Sequence, residues 1–599
     1  MSLKDIIAPF SVWKRAFEKP YTTKKPLDER PGAARYRGFH INDMDKCIGC
    51  GTCEEICQNE AIDLVPVSET RHGDSGLRPK IDYGRCCWCA LCVDICPTSS
   101  LGMSNEYIWI DSDPEVFRFI PGHDEKSWNN SELGYRRAEG YDLLEGERVA
   151  MPMLSFEESK KSFVEMVQGY SAEQAREEAD RCIACGICVA TCPAHMQVPE
   201  YIKAIRDDDM DEGLKIVYNA NPLPASCGRV CSHSCEHVCA VKHKGEALSI
   251  RWLKRYIIDQ IYLGDYQKVL DEGEPGNGKK IAVIGSGPGG LSAAYYLSLL
   301  GYAVTIFDAN DKAGGMLRYG IPEYRLPYDQ IDKDIDYIKS LGVQINQNTR
   351  IGRDLPFSKI YDEFDSVFFS TGLTDPYGLD ISGEELKGVI PGLEMLDDVT
   401  KGLTPDIGSS VVVVGGGNVA MDAARTSKRY GADVTILYRR REVDMPAEEE
   451  EIEEAQGEDC LLTTQAIPLR IEKGDKTRLK LYWGRAEMVS DGPGKRPRPV
   501  LIEGSEELIE CDTVITAIGQ AADYSFLPEE LVSKLSFKRG YVEVNEFYQT
   551  ADQKVFAGGD IANPKRDAIS AIANGHSAAK GIDIYLTNFN ENNNNDTDQ

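Results

Sequence analysis

The cysteines of this chain are distributed unevenly, and their spacing constrains the fold more strongly than any other feature. Of the 19 cysteines in 599 residues, 17 lie before residue 240. The first eight that share a regular spacing form two runs: Cys47, Cys50, Cys53, Cys57 and Cys86, Cys89, Cys92, Cys96. Both runs read C-x2-C-x2-C-x3-C, so three thiolates surround three corners of a [4Fe–4S] cube and the fourth comes from elsewhere. The spacing therefore predicts two iron–sulfur clusters.

The fourth ligand of each cube is expected to come from the other run. In two-cluster proteins of this spacing, the last cysteine of each run ligates the other cluster. We therefore assign the ligands in two crossed sets: Cys47, Cys50, Cys53 with Cys96, and Cys86, Cys89, Cys92 with Cys57. Cys87 falls outside the spacing and is not expected to be a ligand. Structural zinc is the alternative, but zinc modules offer C-x2-C pairs and not a doubled four-cysteine run.

A second cysteine-rich region follows a polar connector. It begins with a predicted helix, because Ser171 with Gln174 three residues later is a capping-box pattern. Its cysteines form two groups of four: Cys182, Cys185, Cys188, Cys192 and Cys227, Cys231, Cys235, Cys239. Eight thiols can hold up to two further cubes.

A phosphate-binding turn follows the cysteine-rich half. The sequence from residue 279, KKIAVIGSGPGGLSAAYYL, reads as a buried strand, a glycine-rich turn and a helix. The turn residues that we expect to bind a dinucleotide are Gly285, Ser286, Gly287, Pro288 and Gly290. The glycines permit the sharp turn, the approach of a pyrophosphate to the backbone and the packing of helix on strand. Asp308, at the end of the next strand, is the acid expected to accept the ribose hydroxyls.

A second copy of this pattern begins at SSVVVVGGGNVAMDAARTSKRYGADVTILYRRR. Its predicted cofactor-binding turn residues are Gly415, Gly417, Asn418 and Ala420. The second strand ends in Arg439 and Arg440 and not in an acid, and these arginines could clamp a 2′-phosphate by forked, charge-assisted hydrogen bonds. NADP(H) is therefore favoured over NAD(H). The alternative is that the two arginines only balance the acidic run at residues 448–451.

Composition excludes several classes of function. Acidic residues outnumber Lys plus Arg by 97 to 67, so the net charge of −30 disfavours binding to nucleic acid. No stretch reaches the roughly 18 consecutive apolar residues of a transmembrane helix. The first residues lack the apolar core and cleavage site of a secretory signal. We expect a cytoplasmic protein whose cysteines are not in disulfides.

The first 110 residues or so resemble the ferredoxin-like subunit of respiratory complex I. The likeness rests on FEKPYTTKKP, RYRGFH and the two cysteine runs. It implies that the basic leader is a docking arm that seats the domain on a larger assembly, with possible peripheral docking to a membrane complex. The basic residues of this leader are Lys14, Arg15, Lys19, Lys24 and Lys25. A solvated tail is the alternative.

The second cysteine-rich region resembles the iron–sulfur domain of three families. CPAHMQVPEYI through ALSIRWLKRY is similar to the glutamate synthase small subunit, to dihydropyrimidine dehydrogenase and to the larger subunit of the bifurcating NADH-dependent ferredoxin:NADP oxidoreductase. The likeness implies one cube held by Cys182, Cys185, Cys188 and Cys239, and three ligands to another: Cys192, Cys231 and Cys235. The families' fourth ligand is Glu or Gln, and that position falls at or near Lys254, whose ammonium has no lone pair. Cys227, Glu246 or an absent cluster remain open.

The C-terminal half is identified as a two-dinucleotide-binding flavoprotein, in which the first fold binds FAD and the second binds the nicotinamide. GGMLRYGIPEYRLP, the strand end at Ser370, DTVITAIGQ and VFAGGDIANPKRDAISAIANGHSAAKGI resemble the glutamate synthase small subunit. The resemblance implies further cofactor-binding residues: Gly315, Met316, Leu317, Thr371, Gly372, Gly519, Gly559 and Asp560. Of these, Asp560 is expected at the FAD ribityl and phosphate region.

The predicted fold class is multidomain α/β: a tandem Rossmann-like flavoprotein with an N-terminal two-cluster ferredoxin domain and an α-helical iron–sulfur domain. The expected divisions are a basic leader (1–40), a ferredoxin-like domain (41–110), a connector (111–170), the helical iron–sulfur domain (171–274), an FAD-binding domain (275–400 with 505–587), an NADP(H)-binding domain (401–504) and a disordered tail (588–599).

These parts predict a converter between two-electron and one-electron transfer. A nicotinamide gives up two electrons as a hydride, whereas an iron–sulfur cube takes one. A flavin can accept two electrons together and release them one at a time. We expect an NAD(P)H-dependent FAD and iron–sulfur oxidoreductase with three or four cubes, working with a ferredoxin or partner subunit and without an acid–base catalytic residue. The alternatives are a flavin-based electron-bifurcating subunit, or the electron-delivery subunit of a glutamate-synthase-like complex.

Overall fold

The computed structural model describes residues 12–18, 32–68, 70–261, 263–270, 272–475, 478–490, 492 and 496–597. These residues divide into two compact units. The first contains Met1–Glu147, Ile183–Ile187 and Cys239–Ala247, and the second contains Arg148–Cys182, Cys188–Val238 and Leu248–Gln599. Of the basic leader, Lys14 and Arg15 lie on a short helix, whereas Lys19, Lys24 and Lys25 lie outside the described residues.

Two small antiparallel sheets form the first unit. Its strands are β1 (His40–Asn42), β2 (Ile62–Pro66), β3 (Leu77–Asp82), β4 (Leu101–Met103) and β5 (Arg118–Phe119), and its helices are α1 (Trp13–Ala16), α2 (Thr52–Glu55) and α3 (Leu91–Asp94). Strand β1 pairs with β4, and β3 lies between β2 and β5. Helix α2 falls within the first cysteine run and α3 within the second. Each run therefore contains one short helix of four residues. An aromatic core with Phe39 stacked on Trp128 packs beside them.

The second cysteine-rich region is helical, as predicted. Its helices are α4 (Phe156–Ser159), α5 (Ala172–Asp180), α6 (Ile187–Thr191), α7 (Val198–Asp207), α8 (Met210–Ala220), α9 (Pro224–Val230), α10 (Ser234–His237), α11 (Ile250–Gln260) and α12 (Tyr266–Val269). The predicted capping box at Ser171 and Gln174 is confirmed, because each side chain accepts a hydrogen bond from the other's backbone N–H. Helices α7 and α8 each bury one apolar face, whereas α11 is buried on all sides from Ile250 to Ile258.

The first glycine-rich turn belongs to a five-stranded parallel sheet. Its strands are β6 (Lys280–Ile284), β7 (Ala303–Phe307), β8 (Gln344–Asn346), β9 (Ser366–Phe369) and β22 (Val555–Ala557). The order is β22-β9-β6-β7-β8, with β6 at the centre. A central parallel strand is covered on both faces, which explains its uninterrupted apolar sequence. The helices of this fold are α13 (Pro288–Leu299), α14 (Met316–Tyr319), α15 (Tyr328–Ser340), α16 (Phe357–Glu363), α20 (Glu529–Val532) and α21 (Ala568–Thr597).

The second turn lies in a matching sheet with the order β11-β18-β12-β13-β14. Its strands are β11 (Val389–Pro391), β12 (Ser410–Gly415), β13 (Asp433–Tyr438), β14 (Leu461–Thr464) and β18 (Thr513–Ala517), and its helices are α17 (Gly392–Thr400), α18 (Asn418–Arg429) and α19 (Glu449–Gly457). The predicted boundaries of this domain were too narrow. Strands β11 and β18 lie outside residues 401–504, yet β18 pairs in parallel with both β11 and β12.

The remaining strands connect or extend these folds. They are β10 (Asp375–Pro376), β15 (Ala466–Lys473), β16 (Leu479–Val489), β17 (Arg498–Cys511), β19 (Gln520–Ala521), β20 (Phe537–Lys538) and β21 (Tyr541–Val542). Strands β15 to β17 form an antiparallel sheet, and β10 pairs with β19 where the chain leaves and re-enters the first fold.

The C-terminal helix is longer than the sequence analysis expected. We predicted a disordered tail from residue 588, whereas α21 continues to Thr597. The Asn-rich segment contains neither Gly nor Pro, so each further residue can extend the helix by one hydrogen bond. Within the described residues, no helix combines the length and the apolar character needed to span a membrane.

Candidate functional site

A cavity of about 600 Å³ opens at the carboxyl ends of the first parallel sheet. The predicted cofactor residues that line it are Gly285, Ser286, Gly287, Pro288, Asp308, Gly315, Met316, Leu317, Thr371, Gly372, Asn418, Gly559 and Asp560. Asn418 comes from the second dinucleotide fold, so both folds contribute to one wall. Ligands of open α/β sheets bind at this edge.

Each glycine of the first turn is required for a different structural reason. Gly285 has φ 99°, and a Cβ there would lie 2.5 Å from the carbonyl oxygen of Ser370. A Cβ on Gly290 would lie 2.0 Å from the carbonyl oxygen of Gly285, so Gly290 lets α13 pack on the turn and does not itself line the cavity. A Cβ on Gly287 would meet no atom within 4 Å, which leaves the space that a pyrophosphate needs beside the backbone.

The acidic residues of the cavity are held in place. Asp308 accepts hydrogen bonds from the backbone N–H of Ser286 at 2.7 Å and from that of Asn310 at 2.8 Å. Burial raises the pKa of Asp560 to about 6, and Asp567 raises it further while Arg566 opposes the shift. The hydroxyl of Thr371 is buried without a hydrogen-bond partner. An unsatisfied hydroxyl on the wall of a cavity of this size fits a dinucleotide with many polar groups.

The second glycine turn is built in the same way. A Cβ on Gly415 would lie 2.3 Å from the carbonyl oxygen of Ala517, whereas one on Gly417 would meet only Pro446 at 3.8 Å. Ala420 packs behind the turn, as the third small residue of the pattern requires. Gly415, Gly417, Ala420 and the predicted Gly519 do not line the large cavity. Gly519 follows β18 and approaches Tyr377 instead.

Arg439 and Arg440 directly follow β13, the strand that comes after the second glycine turn and its helix. Neither forms an ion pair among the described residues, and the Nε of Arg440 is buried without a hydrogen-bond partner. Two of the four acids at residues 448–451 pair with other cations: Glu450 binds Arg251 at 2.6 Å, and Glu451 binds Arg325. No ion pair joins either arginine to this run among the described residues, and an unsatisfied guanidinium nitrogen fits a phosphate ligand, so the phosphate clamp stays the favoured prediction.

The N-terminal cysteines lie near one another in two groups that fit the crossed sets, and the ligand sets themselves stay a prediction. Burial raises the pKa of the Cys53 thiol, and the neighbouring thiols that raise it further are Cys50, Cys92, Cys96 and Cys47. Burial likewise raises the pKa of Cys86 to about 11, with contributions from Cys87, Cys57 and Cys89. A cavity of about 110 Å³ is lined by Cys57, Cys86, Cys89, Cys92 and also Cys87. Thiols gathered from different directions fit the corners of a cube.

His40 is a residue of this site that the sequence analysis missed. Its Nε2 lies 3.3 Å from the Sγ of Cys92, and its Nδ1 lies 2.7 Å from the hydroxyl of Tyr83. Burial lowers the pKa of His40 to about 4, so the ring is neutral and can donate one hydrogen bond to the sulfur. The only sequence signal was its place in RYRGFH, because the contact joins residues 52 positions apart.

The helical domain brings a further set of thiols together. Burial raises the pKa of Cys235, and Cys231 and Cys192 are among the groups that raise it further. Cys231 also lines the large cavity. Lys254, at or near which the resemblance implies a Glu or Gln ligand, is 4% exposed. Burial lowers the pKa of its ammonium, but the thiols of Cys231, Cys227, Cys192 and Cys235 outweigh this effect.

The predicted ligands of the other cube of this domain are divided between the two units. Cys182 and Cys188 belong to the second unit, and Cys185 and Cys239 belong to the first. This ligand set stays a prediction. Glu246, one of the open possibilities for the fourth ligand near Lys254, also belongs to the first unit.

Several cations of the large cavity were not predicted. They are Arg251, Arg325, Arg350, Arg353, Lys565 and Arg566. Four of them lie in segments that carry the family resemblance, but only the spatial arrangement shows that all six line one cavity. Of these, Arg325 binds Asp422 at 2.6 Å as well as Glu451, and Arg350 lies 3.8 Å from Asp523.

Residues 279–580 match the family profile "Pyridine nucleotide-disulphide oxidoreductase". The chain belongs to this family. Two further profiles match the N-terminal half: "4Fe-4S dicluster domain" over residues 46–100, and the 4Fe-4S cluster domain II of dihydropyrimidine dehydrogenase over residues 159–264. The predicted combination of an oxidoreductase fold with two iron–sulfur domains is confirmed.

Two similar proteins are named as beta subunits of NADP(H)-dependent oxidoreductases. The beta subunit of the NADP(+)-dependent formate dehydrogenase of Moorella thermoacetica is 40% identical over 67% of this chain and 60% of its own length. The beta subunit of the NADPH-Fe(3+) oxidoreductase of Geobacter sulfurreducens is 35% identical over 67% of this chain and 63% of its own length. The chain therefore spans less than two thirds of these two relatives.

A third relative is matched over nearly its whole length. The small chain of the NADPH glutamate synthase of Escherichia coli is 33% identical over 74% of this chain and 98% of its own length. The resemblance to the glutamate synthase small subunit is thereby confirmed.

Proposed function

We propose that this oxidoreductase exchanges electrons between NADP(H) and a redox partner through FAD and [4Fe–4S] clusters. The observation that carries the proposal is the wall of the large cavity. The first glycine-rich turn, around Gly287, and the thiol-bearing residue Cys231 line the same space. A dinucleotide held by that turn is therefore next to a candidate cluster ligand, as electron transfer between the two requires.

The residues of the chain would hold and separate the cofactors. The turn at Gly287 and the first turn of α13 offer backbone N–H groups to the FAD pyrophosphate, and the turn at Gly417 does the same for NADP(H). Bound FAD would accept two electrons from a nicotinamide and release them one at a time. We assign no acid–base residue to the reaction, since hydride and electron transfer need placement and not proton transfer by a side chain.

The partner would be another polypeptide. Two of the relatives are named as beta subunits and the third as a small chain, which supports a role for this chain as the electron-delivery subunit of a complex. The ferredoxin-like domain is the candidate exit, and Lys14 and Arg15 of the basic leader are candidate docking residues. The many cysteines of the N-terminal half would be cluster ligands and not disulfides, which favours a reducing compartment such as the cytoplasm.

An anaerobic titration of the purified protein with NADPH, and separately with NADH, tests the proposal. Flavin and iron–sulfur absorbance are followed together, and iron is counted on the same sample. We expect NADPH to reduce the flavin faster than NADH does, and reduction to spread to about 12 to 16 irons per chain, as three or four cubes require. Absence of flavin, or reduction that NADPH cannot start, would refute the proposal.

A second outcome separates the proposed function from its nearest alternative. Bleaching of the flavin by NADPH while every cluster stays oxidised would mean that the clusters have potentials too low for NADPH alone. That result would favour bifurcation, or electron flow from a partner toward NADP.

A further inference from the structure

Lys254 is a buried cation without an acidic partner. It lies on α11, where its side chain is 4% exposed, and no hydrogen bond or ion pair joins it to a carboxylate among the described residues. Its neighbours on the helix differ, because Arg251 binds Glu450 at 2.6 Å and Arg255 binds Asp259 at 2.9 Å. Lys254 is therefore the exception on a helix whose other buried cations are neutralised.

A buried ammonium needs a nearby anion. Removing an isolated charge from water is costly, so buried charges in proteins are paired or bind metal sites. The groups that act on Lys254 most strongly are the thiols of Cys231, Cys227, Cys192 and Cys235. Thiols are neutral at pH 7 when they are buried, but they become thiolates when they bind iron. A metal cluster on these sulfurs would supply the missing negative charge.

Cys227 is the one thiol among the four near Lys254 that the family resemblance does not assign as a ligand. It is fully buried on α9, one helical turn before Cys231, so the two side chains project from the same face. Helix α9 approaches α11 closely at the next residue: a Cβ on Gly228 would lie 3.1 Å from the Cα of Arg255. The small residue at 228 lets the two helices approach each other, and Lys254 and Cys231 are among the groups that act on the Cys227 thiol.

We propose that Cys192, Cys227, Cys231 and Cys235 bind a [4Fe–4S] cube as an all-thiolate set, and that Lys254 is its buried counter-cation. The family resemblance of this region implies a Glu or Gln ligand at or near the position of Lys254. In this chain Cys227 would be the fourth ligand. Lys254, which cannot ligate iron, would contribute a positive charge beside the cube. The inference deepens the proposed function, because Cys231 lines the flavin cavity and this cube would be the one beside it.

The positive charge has a predictable effect on the cube. Reduction adds one negative charge to a group that four thiolates already make anionic, and a nearby buried cation stabilises the reduced form. Lys254 should therefore raise the reduction potential of this cube. A more positive potential favours acceptance of single electrons from the adjacent flavin site.

The ligand assignment is tested on the full-length protein reduced with dithionite, so that the result does not depend on NADPH. We expect Cys227→Ala to lose about one to four irons per chain, as conversion to a three-iron cluster or loss of the whole cube requires, and to change the electron paramagnetic resonance spectrum. Cys460→Ala is the matched control, because Cys460 is also buried but lies in the core of the second dinucleotide fold. Unchanged iron and an unchanged spectrum in Cys227→Ala would overturn the assignment.

A second pair of variants separates ligation from misfolding and tests the counter-cation. In the Cys227→Ala background, Lys254→Glu should restore the lost iron, because it places a carboxylate, which can ligate iron, where the family resemblance implies a Glu or Gln ligand. Lys254→Met alone should keep the iron content and shift the midpoint potential of one cube to a more negative value. Failure of the rescue would refute the role of Cys227, and an unmoved potential would refute that of Lys254. Failure of NADPH to reduce the protein would affect only the proposed function.

Discussion

Replacement of Arg440 by Ala should reduce the affinity for NADPH much more than the affinity for NADH. The Nε of Arg440 is buried without a hydrogen-bond partner, so its guanidinium has an unused donor in a partly desolvated place. The 2′-phosphate is the group that distinguishes the two nucleotides, and a forked contact to it is charge-assisted.

The size of the effect follows from the burial of the two arginines. A hydrogen bond to a charged group contributes about 1.5 to 3 kcal/mol, which corresponds to a loss of about 10- to 150-fold in NADPH affinity at 1.4 kcal/mol per tenfold. Arg439 is exposed, and ion pairs in solvent are weak, so Arg439→Ala should cost only a few-fold. The order of the two single variants is therefore part of the prediction.

The assay is the rate of flavin reduction as a function of NADPH or NADH concentration, measured anaerobically to obtain the apparent dissociation constant for each nucleotide. Arg441→Ala is the matched control, because Arg441 is adjacent but already binds Asp444 at 2.8 Å. Equal losses for NADPH and NADH in Arg440→Ala would refute the phosphate-clamp reasoning. A loss in Arg441→Ala as large as that in Arg440→Ala would also refute it.

Three further predictions concern the other sites. His40→Leu removes a hydrogen bond to the sulfur of Cys92, so potentiometry should find one cube with a more negative midpoint potential and unchanged iron; an unmoved potential would contradict this role. Gly287→Val fills the space beside the turn and should reduce bound flavin at least about tenfold, whereas Gly276→Ala, also in open space, should retain it; flavin absorbance of the purified variants decides. Because the pKa of Asp560 is raised to about 6 in the folded state, the apoprotein should lose stability as pH rises from about 4 to about 6, by up to about 3 kcal/mol from this group. The free energy of unfolding, measured by urea denaturation at several pH values, should depend less on pH in Asp560→Asn. An identical pH dependence in the variant would argue against the raised pKa.

The local motifs were predictable because they depend on backbone geometry that few residues can adopt. Gly285, with its positive φ and its contact to Ser370, is an example: no other residue type fits that turn. The buried strands β6 and β12 were predictable for a related reason, since a strand covered on both faces needs an unbroken apolar sequence.

The parts that escaped prediction depend on contacts between distant segments. The second fold was bounded too narrowly because β18 joins its sheet only after the three strands β15 to β17 have intervened. Nothing in the sequence near residue 513 distinguishes pairing with β12 from pairing in the first sheet. The bond from His40 to Cys92 and the burial of Lys254 among thiols are likewise products of tertiary packing.

The short ribbon of β10 and β19 has a consequence for the order in which the chain folds. Strands β9 and β22 pair directly, although the whole second fold lies between them in sequence. The entropy cost of closing a loop grows with its length, but once the second fold has formed, the pairing of Asp375 with Ala521 already holds its two ends together. The second fold should therefore form first. Once folded, it connects β9 and β22 of the first fold as a short loop would, because its two ends are held close together. The flavin-binding fold then closes only after β22 has been synthesised.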